Sequence, residues 1–112
     1  MGITRYNSGP RMSQCVVHSD TIYTAGQVAD DRNADIAGQT AQVLAKIDAL
    51  PADAGSDKSK ILSASIWITD MSKFSDMNGV WDAWVDTDNP PARACVESNL
   101  ALPEFLVEIM VT

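Results

Sequence analysis

Residues 61–69 place the tightest constraint on the fold. In an extended chain Leu62, Ala64, Ile66 and Ile68 share one face, and Ser63, Ser65, Trp67 and Thr69 share the other. The first face is wholly apolar. The second carries Trp67, a poor residue to leave in water. Both faces of this strand therefore call for cover, which one layer of helices on one side does not supply.

The neighbouring segments provide that one layer. Ile36, Val43, Leu44, Ile47 and Leu50 recur with a period near 3.6, which predicts an amphipathic helix. Asn33 or Asp35 would cap it and Pro51 would end it. Phe74, Met77, Val80, Trp81 and Trp84 form a second stripe. Asp70 or Ser72 would cap that helix, and Asp88-Asn89-Pro90-Pro91 stops it. Upstream, residues 15–17 and 22–25 read as short strands around a turn at 18–21, with Gly26-Gln27 closing the second. Downstream, residues 92–97 and 105–112 read as two arms of a hairpin linked through Asn99 and Pro103.

The order is strand, strand, helix, strand, helix, strand, strand. This is an α+β pattern with two helices on one face of a mostly antiparallel or mixed sheet. The opposite face, with Trp67, should meet a partner subunit. At 112 residues the chain is expected to be one domain over 1–112. No internal repeat divides it.

Charge narrows the function. Eight basic against 15 acidic residues leave a net charge of -7, which repels phosphate backbones, so no nucleic-acid partner is expected. An anion would have to be held by a specific arginine against that field. One histidine, His18, and two distant cysteines, Cys15 and Cys95, do not make a metal site. Residues 1–14 hold no apolar core of a secretory leader, and no stretch approaches membrane-spanning length. The expectation is a cytoplasmic protein with reduced thiols and no membrane partner. P-loop, GxGxxG, HExxH and GxSxG patterns are missing, so nucleotide, metal and serine-hydrolase chemistry have no support.

Several residues are candidates for chemistry. Arg93 enters a strand from the rigid Pro90-Pro91-Ala92 turn. It is either an edge arginine in water or a fixed fork for a carboxylate, whose two oxygens match its planar donors. Glu108 lies between Leu106 and Met110 in an otherwise apolar strand. In the expected hairpin it sits across from Arg93 or Ala94, as a structural salt bridge or as a carboxylate that orients water. Cys95 shares the strand face of Arg93. Its side chain reads as a small buried hydrophobe more readily than a nucleophile, and its carbonyl could hold a water. Thr24-Ala25-Gly26-Gln27 is either an ordinary turn or a place where backbone approaches a ligand closely. Asn78 interrupts the second helical stripe, as polar glue or as an exposed residue.

The strings PPARACVESNLALPEFLVEIMV, IYTAGQVA and DAGSDKSKILSASIWITDMSKFSDMNGVWDAWV resemble the Rid family, the YjgF/YER057c/UK114 proteins. The resemblance spans nearly the whole chain and is most specific at the C-terminal signature. It implies a chorismate-mutase-like α+β unit that assembles into a homotrimer with a central barrel and ligand clefts between subunits. It implies hydrolysis of enamines and imines such as 2-aminoacrylate to a 2-keto acid and ammonia, without cofactor or metal. By motif, Arg93 would grip the substrate carboxylate, Glu108 would hold the attacking water, and the Cys95 carbonyl would help place it. Gly26 and Ala25 would line the pocket, with Asn78 nearby. Two departures stand in the pocket region. Gly9-Pro10 is followed by Arg11-Met12-Ser13 where many deaminases carry a tyrosine, and Ala25 replaces the family's serine. They imply a separate subgroup, acting weakly on 2-aminoacrylate or on another imine. Arg11 is either a second anion contact or a surface residue. The alternative reading is a non-catalytic trimer that binds small carboxylates.

Overall fold

The computed structural model describes residues 2–112. The chain opens with an antiparallel meander: β1 (Ile3–Ser8), β2 (Ser13–His18) and β3 (Thr21–Thr24). The β2–β3 turn is as short as expected, with Ser19 at a positive φ of 54°. Strand β1 was not expected. Its residues are mostly exposed and lack an alternating apolar face, so pairing with β2 defines it rather than burial.

Helix α1 (Ile36–Asp53) follows, then β4 (Ser63–Ile68), α2 (Phe74–Trp84), β5 (Ala92–Glu97) and β6 (Val107–Val111). Asp35 caps α1 by accepting from the Gly38 amide at 2.8 Å. Asp70 caps the 3-10 turn Met71–Lys73 that leads into α2. Pro51 does not end α1, which runs on to Asp53. A proline in the last turn forfeits one hydrogen bond where the ladder is ending anyway. Gly55, at φ 84°, reverses the chain just beyond.

Strands β5 and β6 are not a hairpin. The strand order is β5-β4-β6, with β5 parallel and β6 antiparallel to β4. The apolar β4, buried along one face, takes the centre, and α2 serves as the crossover that a parallel β4–β5 pair requires. Sequence proximity suggested a hairpin because the turn-forming residues between the arms suit a tight link as well as a longer one.

The two three-stranded sheets join at β3 and β6. Gln27 and Ile109 exchange backbone hydrogen bonds of 2.8 and 3.1 Å. The buried Thr24 hydroxyl donates to the Val111 carbonyl and accepts from its amide. Both helices lie on one side of the resulting surface. Val43, Leu44 and Ile47 of α1 and Met77 and Trp81 of α2 pack on Ala64, Ile66, Ile68, Val107, Ile109 and Val111. Each large side chain fully buried there contributes about 1.5–3 kcal/mol of transfer free energy.

The other side of the sheet has no helix. Register sets Glu108, Trp67 and Val96 in one row across β6, β4 and β5. Val96 and Tyr23 stay 49% and 47% exposed, the apolar surface expected from Trp67.

Candidate functional site

The strand order separates the two charged candidates. Arg93 pairs with Ala64 and Glu108 with Trp67, positions of opposite parity on β4. Arg93 therefore lies on the helix side and Glu108 on the open side. The expected cross-strand neighbourhood of Arg93 and Glu108 does not form, because β4 stands between their strands. Among the described residues the ion pair is Lys46 with Asp30.

Arg93 is nevertheless held. The Arg93 guanidinium donates from Nη1 to Oδ1 of Asn78 at 2.7 Å. Its Cζ lies 5.2 Å from the ring centre of Trp81 and 5.7 Å from that of Phe74. A cation over an aromatic face gains about 0.5–1 kcal/mol at an exposed site. A guanidinium has five N–H donors, so the bond to Asn78 leaves most of the fork available. Asn78 thus interrupts the apolar stripe of α2 because it meets Arg93.

Cys95 follows on the same face. Burial pushes its thiol up, and the nearby Arg93 charge only partly offsets this. A thiol kept protonated is a poor nucleophile. Its backbone is better placed. The Ala92 amide donates to the carbonyl of Leu62, just before β4, and the Ser98 amide to that of Ile68 at its end. In a parallel pair the amide and carbonyl of alternate residues point to opposite sides, so Cys95 directs its carbonyl away from β4, toward the free edge of β5. The arginine and an unclaimed strand edge therefore lie side by side.

Glu108 meets Gly26. An ideal Cβ built on Gly26 would lie 2.2 Å from Glu108 Oε2 and 2.9 Å from its Cδ. The carboxylate rests directly over the glycine, a place any side chain would occupy. Ala25 beside it has its backbone engaged: its amide donates to Gln14 O at 2.9 Å and its carbonyl accepts from Gln27 Nε2 at 3.1 Å. Arg11 is exposed in the β1–β2 turn.

Sequence reading missed Gln39. It is fully buried in α1, its Nε2 donates to the carbonyls of Ala34 and Glu104, and its Oε1 accepts from the Leu106 amide at 2.9 Å. It thereby fixes the chain just before β6 and Glu108. A glutamine inside an apolar helical stripe was the available signal. Phe74 and Trp81 belong to the apolar stripe expected of α2, and their place beneath Arg93 follows only from the position of β5.

One chain thus presents two candidate features: an anchored arginine beside a free strand edge, and a carboxylate over a glycine on an uncovered sheet face. These features define a small α+β protein with one candidate group at the free β5 edge and another on the uncovered sheet face. The family model described as Endoribonuclease L-PSP matches residues 3–112. A RutC family protein of Haemophilus ducreyi is 41% identical over 110 residues, covering 98% of this chain and 94% of the relative. The RutC family protein YoaB of Escherichia coli K12 is also 41% identical, covering 99% and 96%. The crystal structure of NMB1025, a YjgF family member from Neisseria meningitidis, superposes with a TM-score of 0.96 at 46% identity, covering 99% of this chain and 92% of that one. That of Rv2704 from Mycobacterium tuberculosis, of the YjgF/YER057c/UK114 family, gives 0.89 at 26% identity, covering 98% and 97%. The chain belongs to the Rid family, the YjgF/YER057c/UK114 proteins.

Proposed function

We propose that this protein hydrolyses carboxylate-bearing imines and enamines, releasing a 2-keto acid and ammonia. The observation that carries the reading is the Arg93 guanidinium, held by Asn78 with most of its donors unspent, beside the outward carbonyl of Cys95. Arg93 takes the substrate carboxylate through paired hydrogen bonds. The Cys95 carbonyl and the Glu108 carboxylate hold a water. An enamine first tautomerises to the imine. The water adds to the imine carbon as one of its protons passes by way of Glu108 to nitrogen. The remaining hydroxyl proton follows to nitrogen by the same carboxylate as the C–N bond of the carbinolamine breaks, leaving the keto group and ammonia. Orientation supplies much of the rate, since the imine carbon already accepts a nucleophile. No metal or cofactor takes part.

Arg93 and Glu108 lie on opposite sides of one sheet, so the reading needs the homotrimer, in which the free β5 edge beside Arg93 of one subunit meets the uncovered face that carries Glu108 of the next. Purified protein should accelerate 2-keto acid release from enamines generated in place from several amino acids. Arg93→Ala should abolish this. Mixing unfolded Arg93→Ala and Glu108→Ala chains and refolding them together should restore part of the activity, through sites with both residues intact. No restoration counts against the shared site.

Ala25 favours a second reading. It sets a methyl where the family's serine would bring a hydroxyl, and a site short of one polar group can bind a carboxylate without turning it over. Binding of a 2-keto acid lost in Arg93→Ala, with no acceleration from any imine, would establish it. The ribonuclease in the family model's description is opposed by the net charge of -7.

A further inference from the structure

Phe74, Asn78 and Trp81 fall at i, i+4 and i+7 on α2, so all three meet the same neighbour. That neighbour is Arg93. Asn78 takes a hydrogen bond in the plane of the guanidinium, while the two rings lie within 5.2 and 5.7 Å of Cζ. Trp81 is itself fixed, since only 5% of it is exposed and it packs in the core. Arg93 is exposed and stands on an edge strand, where a long side chain ordinarily samples many rotamers.

We propose that Phe74 and Trp81 are positioning residues for Arg93: their rings, anchored from the core, hold the guanidinium in one orientation so that its free donors await a carboxylate. This rests on the reading of Arg93 as the carboxylate anchor. Ordering the fork before the ligand arrives removes that ordering cost from binding. The rings therefore act on substrate capture, not on the hydrolytic step.

The test combines nitrogen-15 relaxation of the Arg93 Nε–H group with steady-state kinetics on the intact protein, for Phe74→Leu, Trp81→Leu and the conservative Trp81→Phe. Thermal melts confirm that each variant folds, and the half-buried Phe74 keeps the test open if Trp81→Leu does not. Both leucine variants should free the Nε–H group on the nanosecond scale and raise KM about fivefold, with kcat within about twofold, while Trp81→Phe stays near wild type. If Arg93→Ala loses substrate capture but the leucine variants keep wild-type Nε order and KM, the positioning role is overturned and the anchor stands. An unchanged KM in Arg93→Ala overturns both.

Discussion

The Glu108 carboxylate lies over the Cα of Gly26, with Oε2 only 2.2 Å from where a Cβ would be. Gly26 belongs to the segment after β3 and Glu108 to β6, so this contact depends on the junction that Gln27 and Ile109 make between the two sheets. It also lets one substitution separate function from stability. Gly26→Ala must displace the end of a flexible side chain but no backbone. The variant should fold with a melting temperature within a few degrees of wild type. Displacing a water-holding carboxylate by about 1 Å should cost about a hundredfold in imine hydrolysis. Melting curves and 2-keto acid release measured together decide it; wild-type activity would remove Glu108 from the mechanism.

Gln39→Leu should be among the more damaging single substitutions. It removes the partner of the Leu106 amide and of the Ala34 and Glu104 carbonyls, in part-buried hydrogen bonds, and offers no partner in return, at a cost of about 1–3 kcal/mol. Urea unfolding should show a lower midpoint. Activity at low temperature should also fall, because the segment leading to Glu108 is no longer pinned.

Thr24→Val keeps the shape and removes both hydrogen bonds to Val111, of 3.3 and 3.0 Å. The Val111 amide and carbonyl lose a buried partner, which costs about 1–3 kcal/mol. Hydrogen exchange at the Val111 amide should quicken more than at the centre of β4. Equal exchange would mean that the Gln27–Ile109 pair alone joins the sheets.

The thiols supply a pH test. Burial, then the Asp53 charge, lifts Cys15 above its ordinary value of 9.0. A raised folded-state value means that the native protein favours the neutral thiol. The associated stability is full below the unfolded value and is lost as pH rises through the folded one. Urea midpoints should therefore decline on the alkaline side of about pH 9, and Cys15→Ser should flatten that decline. Cys95 should alkylate slowly at neutral pH and faster as pH rises. Arg93→Ala should slow it further, because the arginine charge is what draws that thiol down.

Particular residues show how far the sequence reaches. The stripes Ile36–Val43–Leu44–Ile47 and Phe74–Met77–Trp81 located both helices, because helical periodicity is a local property written in neighbouring residues. Gly26, Asn78 and Arg93 stood out for the same kind of reason: each breaks a local pattern in a way that asks for a partner. Local pattern does not contain which strands pair across the chain. Two apolar arms near the C-terminus, with turn residues between them, satisfy a hairpin and a β5-β4-β6 order equally well in sequence. Strand β1 has no apolar face to announce it.

The sequence by itself therefore determined the helices, the strand over residues 63–68, the need of that strand for cover on both faces and the candidate site side chains, since all of these follow from residue type and spacing. Only the tertiary structure decided that Arg93 rests on Asn78, Phe74 and Trp81, that Glu108 lies on Gly26, and that the two charges stand on opposite sides of the sheet. Those facts depend on which strand takes the centre. Burial of β4 between its neighbours settles that, and no short stretch of sequence contains it.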